Sequence, residues 1–595
     1  MRDREAVPLL LEPGFIVLVL ALAVLAATLF SHEFRITSDG VDHYVFLRSL
    51  AVDHDLDLAN DYALVSPRGE SASEPTPLGR TGDPHPIGPA IVWAPFYLVA
   101  ELVSRVSGRP TDGLGPLYLD AVSVGSLLYG WLGLVLLYRT ASHEVGRSAA
   151  LLATLGIAFG TFVYWYLAFA PTMAHAPSFG ASALFVWLWL GREPKSPRRA
   201  ALLGAACGLA ALLKWSNALL VLLPAVEALP RLKRPAQWRP LALEALAFAS
   251  AAALVFSPQM IVWQRLYGSA LTIPLGEGFV AGAPAWEGVL FSPRHGLFSW
   301  SPLLYLGALG LLAWFRRAGW RLLAVLVFCV ALTRVNAGVT DWWAGSAFGG
   351  RRFDSLLPLL GVGLALALAG LAALARRRPL LPAAALIAAF VLWNLLLARQ
   401  YRSGAWDYAG PVPFEDMAKG AVSLVDRALG SPFSLPASLW GWLRGGPQPA
   451  DYESLFMERR HARWSIRMGT DDRIFLEDGW SEPREIEGVP CRLIARGSAG
   501  LVVPLHEARP YRFGARLRSV GPGASRLRVL VNDRIAGSWD AGTSWSDYGL
   551  DVPADALRPG RNFIRLKRVG ESTQDAAFAV AGAWLEPDAS SPRPP

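Results

Sequence analysis

The sequence predicts a polytopic α-helical membrane protein that ends in an antiparallel β-sandwich. Three observations predict it. The chain of 595 residues is 53% hydrophobic and only 17% charged, whereas soluble domains carry about 25% charged residues. Apolar runs of spanning length, roughly 17 residues or a little shorter, recur from residue 14 to residue 398. From about residue 452 the texture changes to short alternating runs punctuated by turn residues. Other classes are excluded by the same counts. Disordered chains are poor in aromatic and aliphatic residues, and this one has 23 Trp and 27 Phe. Three cysteines do not make a disulfide scaffold: Cys207 and Cys329 lie in apolar runs and Cys491 in a distant polar segment.

The first apolar run covers residues 14–30. Its length, and the missing small-x-small cleavage site, make it a retained anchor rather than a signal peptide. Further runs are 118–138, 148–167, 176–191, 201–229, 241–263, 297–315, 322–335, 355–375 and 380–398. Run 201–229 is too long for one helix and carries Lys214-Trp215-Ser216-Asn217 at its centre, so two short helices meeting at a polar apex are expected. Basic clusters occur at Arg139/Arg147, Arg192/Lys195/Arg198/Arg199, Arg231/Lys233/Arg234/Arg239, Arg316/Arg317/Arg321 and Arg376/Arg377/Arg378. Positive residues in short loops mark the cytoplasmic side. All five clusters share that side if 201–229 crosses twice and 87–106 does not cross. With Pro89, Pro95, Glu101 and Arg105, the latter segment reads as an interfacial helix on the outer side. About eleven spans then follow, with a cytoplasmic N-terminus and an outer C-terminal region. The alternative is that 87–106 spans and one later run does not.

The expected outer loops, 32–86, 169–175, 264–296 and 336–354, are long and rich in Asp, His, Trp, Gly and Pro. A chain that gathers its unusual residues on one face works at that face. Residues 1–400 form the membrane domain, 401–451 a connector, and 452–590 the outer sandwich, with strands at 501–505, 511–517, 527–531 and 562–566. Jelly-roll and immunoglobulin-like arrangements fit the spacing equally. Trp480, Trp539 and Trp545 serve as core aromatics or as platforms for sugar rings, and no catalytic cluster is visible there.

Chemistry concentrates in three outer segments. The first runs Ser38-Asp39-Gly40-Val41-Asp42-His43-Tyr44 through Leu50, where Tyr44, Leu47 and Leu50 recur at helical spacing. Asp39 falls at the start of this surface helix. It either caps the helix or stands at the mouth of a cavity as a base for an acceptor hydroxyl. Asp53, Asp55 and Asp57 read as a solvated acidic turn before a hard-metal site. The second segment is Ser292-Pro293-Arg294-His295-Gly296-Leu297. The third contains Asp341-Trp342-Trp343 and Phe348-Gly349-Gly350-Arg351-Arg352-Phe353. Arginine offers a fixed fork of donors suited to phosphate oxygens, and positive charge on the outer side is disfavoured unless it has a task. Lys214, inside an apolar run, is a functional candidate because ionisable groups are costly there, with snorkelling as the alternative. His175 begins another span on the same face. The histidines show no metal-ligand spacing, so a divalent metal is left open rather than indicated.

One span, a long outer loop opening on Asp-Gly beside a short amphipathic helix, and many further spans with basic cytoplasmic turns resemble the GT-C glycosyltransferases. The protein O-mannosyltransferases and lipid A aminoarabinose transferases of family 39 are examples. The resemblance covers roughly residues 10–400. It is most specific in Ser38-Asp39-Gly40, Tyr44 to Leu50, Pro86-Ile87-Gly88-Pro89-Ala90, Ser292 to Leu297 and Phe348 to Phe353. It implies inverting transfer of a sugar from a polyprenyl-phosphate donor to a glycan, lipid or protein acceptor at the outer face of a bacterial cytoplasmic membrane. Asp39 occupies the position of the base. Many relatives carry a second acid next to that aspartate, where this chain has Gly40 and then Asp42, so either carboxylate serves. Lys214, Arg294, His295, Arg351 and Arg352 are assigned to the lipid phosphate, and Tyr44, His175, Asp341 and Trp342 to substrate, from side, charge and context. A lipid or glycan flippase, or an inactive membrane-anchored glycan-binding protein, are the rival readings. No internal repeat of the transporter kind is found.

Overall fold

The structure is a computed structural model. It describes residues 12–31, 36, 38–65, 75–191, 193–274, 278–280, 282, 284–314, 319–374, 380–404, 410–429, 464–469, 472, 475–494, 497–505, 508–521, 525–569 and 577–588. Arg192, Arg316, Arg317, Arg376, Arg377, Arg378 and most of the expected connector lie outside the described residues. The chain divides into two compact units, Met1–Leu395 and Leu396–Pro595.

The first unit is an α-helical bundle. Six of its helices, among the described residues, are long and apolar enough to cross a membrane, and shorter apolar helices accompany them. This is a multi-pass membrane domain. Helix α1 (Pro13–Leu29) starts on a proline, whose missing N–H costs nothing at that position. It buries Gly14, Leu18, Ala21, Leu25 and Leu29, one face at helical spacing. Against it runs α5 (Pro116–Glu144) in the opposite direction: Trp131 donates to the Leu18 carbonyl at 2.8 Å and Tyr138 to Glu12 at 2.6 Å.

Two expectations for this unit can be compared with the coordinates directly. Run 201–229 is broken as expected: α9 (Pro197–Leu213) ends at Lys214 in extended backbone, a 3-10 turn spans Trp215–Val221, and α10 (Leu222–Leu232) follows. A break inside an apolar layer strands carbonyls, and Asn217 repairs one by donating to Ala210 O at 3.0 Å. Segment 87–106 forms α4 (Gly88–Val106), which is itself long and apolar enough to span. Its polar partners on α5, among the described residues, lie on the first half of that helix. Tyr118 donates to Glu101 at 2.5 Å, Trp93 to Ser126 at 2.7 Å and Tyr129 to the Val92 carbonyl at 3.0 Å.

Three further elements carry predicted site residues. Helix α2 (Asp39–Arg48) packs on α4, with Tyr44 against Tyr97. α8 spans His175–Leu190. A 3-10 turn, Arg351–Leu356, opens the apolar helix Leu357–Leu374.

The second unit carries two antiparallel sheets. Strands β1 (Trp464–Arg467), β2 (Arg484–Ile486), β3 (Val489–Leu493), β5 (Tyr511–Val520), β8 (Ser546–Val552) and β10 (Ala577–Pro587) form one. Its order is β2-β3-β10-β5-β8, with β1 also on β10. Strands β4 (Ser498–Leu505), β9 (Gly560–Val569), β6 (Ser525–Val531) and β7 (Arg534–Ala541) form the other, in that order. Inward residues of both sheets, among them Phe513, Leu517, Val529 and Leu566, share one buried cluster, which makes the unit a sandwich. The four strands expected from alternation correspond to parts of β4, β5, β6 and β9. Trp539 is buried and stacks on Phe513 at 5.7 Å, and Trp480 packs on the same core, so these two are core aromatics rather than exposed platforms.

Candidate functional site

Asp39 is the first residue of α2, but it does not cap it. The residue before it, Ser38, has φ +55°, an uncommon conformation for a side chain-bearing residue, and donates its hydroxyl to Asp39 Oδ1 at 2.8 Å. The carboxylate turns away from the helix and meets Arg351, whose Nη1 lies 3.0 Å from Oδ2 and Nη2 3.5 Å from Oδ1. This forked pair joins residues 312 positions apart. Gly40 explains why no second acid follows: a Cβ there would stand 2.9 Å from Thr172 Oγ1 and 3.1 Å from the Thr172 carbonyl. Close approach of α2 to the residue 169–175 loop requires glycine. Arg351 is placed in the same way, since a Cβ on Gly350 would stand 2.9 Å from Leu297 Cα.

Three residues after Arg351, the same turn presents Asp354, fully buried. Its Oδ1 accepts from Lys214 Nζ at 3.2 Å and from the Ser355 amide at 2.8 Å, and its Oδ2 faces His175 Nδ1 at 2.9 Å. The His175 ring lies 4.5 Å from Tyr166, whose hydroxyl accepts from the Phe348 amide at 3.1 Å. Four distant segments thus supply Asp39, His175, Lys214 and Arg351: Asp39 pairs with Arg351, and three residues on, His175 and Lys214 share Asp354, a carboxylate the sequence reading did not single out. A signal for Asp354 existed: an intramembrane lysine needs a counter-charge, and an aspartate heads the following apolar helix.

On the other side of Asp39 stands His85, with Nε2 3.9 Å from Asp39 Oδ2 and Nδ1 3.0 Å from Asp42 Oδ2. Asp42 accepts from the Tyr62 hydroxyl at 2.9 Å. Burial by itself would raise the Asp39 carboxyl, but the Arg351 guanidinium, with His85 and His175, outweighs it and holds the group well below the usual carboxylate range. Burial would likewise lower His85, yet Asp42, Asp39 and Asp83 push it up to about 9. Among the described residues, neighbouring His43 has no carboxylate in hydrogen-bond reach. Burial and the charge on His85 press it down to about 3, and its Nδ1 lies 3.2 Å from the Pro86 carbonyl. Asp83 is pushed up by burial and by Asp42.

Most of the remaining predicted residues brace two loops, and the charge of Arg352 also acts on Lys214. Arg352 donates to the carbonyl of Asp341 and lies 3.4 Å from its Oδ2. Arg294 stacks 3.7 Å above the Trp343 ring, and His295 Nδ1 lies 2.9 Å from the Trp343 carbonyl. Trp342 packs on Gly288 and edge-on to Trp343. Tyr44 requires a correction. It is 1% exposed, and its hydroxyl donates to the Gly113 carbonyl at 2.5 Å, so it is a packing residue rather than a substrate contact. The acidic turn is a structural one: Asp53 pairs with Arg48 at 3.0 Å, and Asp55 accepts from Ser49 and from the Asp57 amide.

No family model and no curated protein matches this sequence. Among solved structures, the chain is similar to ArnT from Cupriavidus metallidurans in the apo state. The identity is 16%, over 71% of this chain and 73% of that one, with a TM-score of 0.40. It is also similar to the arabinosyltransferase EmbB from Mycobacterium smegmatis, at 13% identity over 98% of this chain and 65% of that one, TM-score 0.38. A third similarity is to a Podospora anserina GH26-CBM35 β-(1,4)-mannanase, at 19% identity over 22% of this chain, TM-score 0.18. The chain spans 29% of that protein's length.

Proposed function

We propose that this protein is a membrane glycosyltransferase that moves a sugar, with inversion, from a polyprenyl-phosphate donor to a hydroxyl acceptor on the outer face of the cytoplasmic membrane. One observation carries the reading: a partly open carboxylate, Asp39, sits in a forked pair with Arg351, beside a second cluster in which Asp354 holds Lys214 and His175. The clustering of basic residues in the short loops orients this end of the bundle outward. A lipid phosphate is amphiphilic, and a site at the end of an apolar bundle joins hydrocarbon to water.

The step balances as follows. The acceptor hydroxyl gives its proton to Asp39, its oxygen bonds to the anomeric carbon, and the bond from that carbon to the phosphate oxygen breaks, leaving the electron pair on the phosphate. Fixed cations aimed at that charge lower the barrier. Arg351 is neutralised by Asp39 before the donor arrives. A donor phosphate that engages its guanidinium loosens the Asp39 pair and raises the basicity of the carboxylate at the moment it is needed. Lys214, 18% exposed at its side chain, is the second cation in reach of the opening. Of the two candidate bases, Asp39 is favoured because its side chain is 24% exposed, against 10% for Asp42, which is tied to Tyr62.

The test is Asp39→Asn, assayed with membranes and polyprenyl-phosphate-linked sugars analysed by mass spectrometry. Transfer should fall about 10²–10⁴-fold, with normal membrane insertion and accumulation of one glycosylated carrier. Transfer at the parental rate would overturn the assignment.

A further inference from the structure

Next to Asp39 lies a cluster that the reaction above does not use. Asp42, Asp83 and His85 each offer one ligand atom, and these atoms lie within 4.8 Å of one another. Asp42 comes from the first turn of α2, and the other two from Gly82-Asp83-Pro84-His85-Pro86, just before α4. The turn is fixed in place. The Asp83 amide donates to the Tyr267 hydroxyl at 2.9 Å, that hydroxyl donates back to the Asp83 carbonyl at 2.9 Å, and the His85 amide donates to Asp83 Oδ1 at 2.7 Å.

Among the described residues, the rest of the cluster lacks a partner. Asp83 is 2% exposed, and its Oδ2 is buried with no hydrogen-bond partner. The Tyr62 hydroxyl has a single proton, and that proton is committed to Asp42. His85 Nδ1 lies 3.0 Å from Asp42 and 3.7 Å from Asp83 Oδ1 but makes no aligned hydrogen bond to either. A buried carboxylate oxygen left unsatisfied is costly, and such groups in folded proteins mark a missing ion, a missing water or a functional role. Charge points to the ion. Three carboxylates, Asp39, Asp42 and Asp83, face one histidine, His85, and Arg351 pairs with Asp39 alone of the three among the described contacts.

We propose that Asp42, Asp83 and His85 bind one divalent cation of the manganese or zinc class. Two carboxylates balance its charge, and the imidazole favours a transition metal over magnesium or calcium. Bonds of about 2.1 Å draw three such ligands onto one ion with a small contraction. With Nδ1 on the metal, His85 presents its Nε2–H to Asp39, whose Oδ2 is 3.9 Å away. This is the carboxylate–histidine–metal relay that fixes a ligand ring. The cation is then a positioning group that orients Asp39 through His85 and does not touch the sugar. That last link rests on Asp39 being the base, whereas the cation site itself does not.

The experiment uses the full-length protein in detergent, stripped with a chelator and titrated with Mn²⁺ under electron paramagnetic resonance. We expect about one tightly held ion with nitrogen coupling from a single imidazole. Asp83→Asn and His85→Gln should each weaken binding by at least about 100-fold, Asp39→Asn by about tenfold, and Asp57→Asn on the exposed turn not at all. Absence of nitrogen coupling in the parental protein, or unchanged affinity in both ligand variants, overturns the site. The parental spectrum decides even where a variant misfolds. Loading is read without turnover, so an inactive or active Asp39→Asn bears on the transferase reading and leaves the cation site standing.

Discussion

In the sandwich, Phe513, Leu517, Val529 and Leu566 are fully buried in one cluster; in the helical unit Asp39, Asp354, Lys214 and Arg351 are largely buried and meet in pairs, Asp39 with Arg351 and Asp354 with Lys214. Both are cores in the geometric sense, but they are built from opposite materials. The apolar cluster gains from every area removed from water, tolerates exchange of similar shapes, and needs no single partner. The charged cluster gains only when each charge meets its own counter-charge, because desolvating an unpaired ion costs more than any contact returns. On the proposed function, this assembly at the end of an apolar bundle holds charge ready for chemistry.

That contrast can be broken by experiment. Asp354→Ala leaves Lys214 and His175 without their shared carboxylate and should destabilise the helical unit by about 3–5 kcal/mol, read by denaturation in detergent. Converting Asp354 to Leu and Lys214 to Met together should recover most of that stability while transfer stays lost. If the pair of changes is no better than the single one, the cluster is structural packing and not held charge. Phe513→Ala in the sandwich should cost a similar amount, about 3–5 kcal/mol, but no second substitution of the charged kind rescues it, and the transfer step should keep its rate. Next in size, Arg351→Ala should lower transfer about 10²–10³-fold. Arg351→Lys should recover only part, because an ammonium cannot reproduce the fork; full recovery would remove the forked pair from the mechanism.

The smallest expected effect is at a buried ion pair in the sandwich. Asp472 accepts from Arg492 Nε at 2.6 Å and from Arg492 Nη2 at 3.1 Å. Burial alone would raise its carboxyl, but these bonds and the Gly469 amide hold it below its ordinary value. A depressed folded value means the contribution is complete above the ordinary carboxylate pKa, about 4, and is lost as the pH falls through the lower folded one. Asp472→Asn should therefore be less stable at neutral pH, with the gap closing in acid, as read by tryptophan fluorescence.

How much of this was legible in the chain follows from the range over which each rule acts. Alternation in residues 511–517 and 562–566 announces strands because the pleat has a period of two and one face must be dry. Lys214 in the middle of an apolar run announces a break in the same local way. Asp39 and Arg351 could be suspected separately, each from charge in an outer segment. Their pairing could not, because it joins two ends of a 312-residue separation. Tyr44 went the other way: helical spacing placed it on a surface helix, but α4 covers that face and the Gly113 carbonyl, beyond α4, takes its hydroxyl.

The amino-acid order alone determined the two materials, an apolar helical chain followed by an alternating one, and the face on which polar residues gather. Those properties are set by period and composition over tens of residues. Only the tertiary structure decided which carboxylate meets which cation: Asp39 with Arg351, Asp354 with Lys214 and His175, and Asp42 and Asp83 with His85. Coulombic pairing and desolvation depend on a few ångströms, and that distance is fixed only once the distant segments have packed.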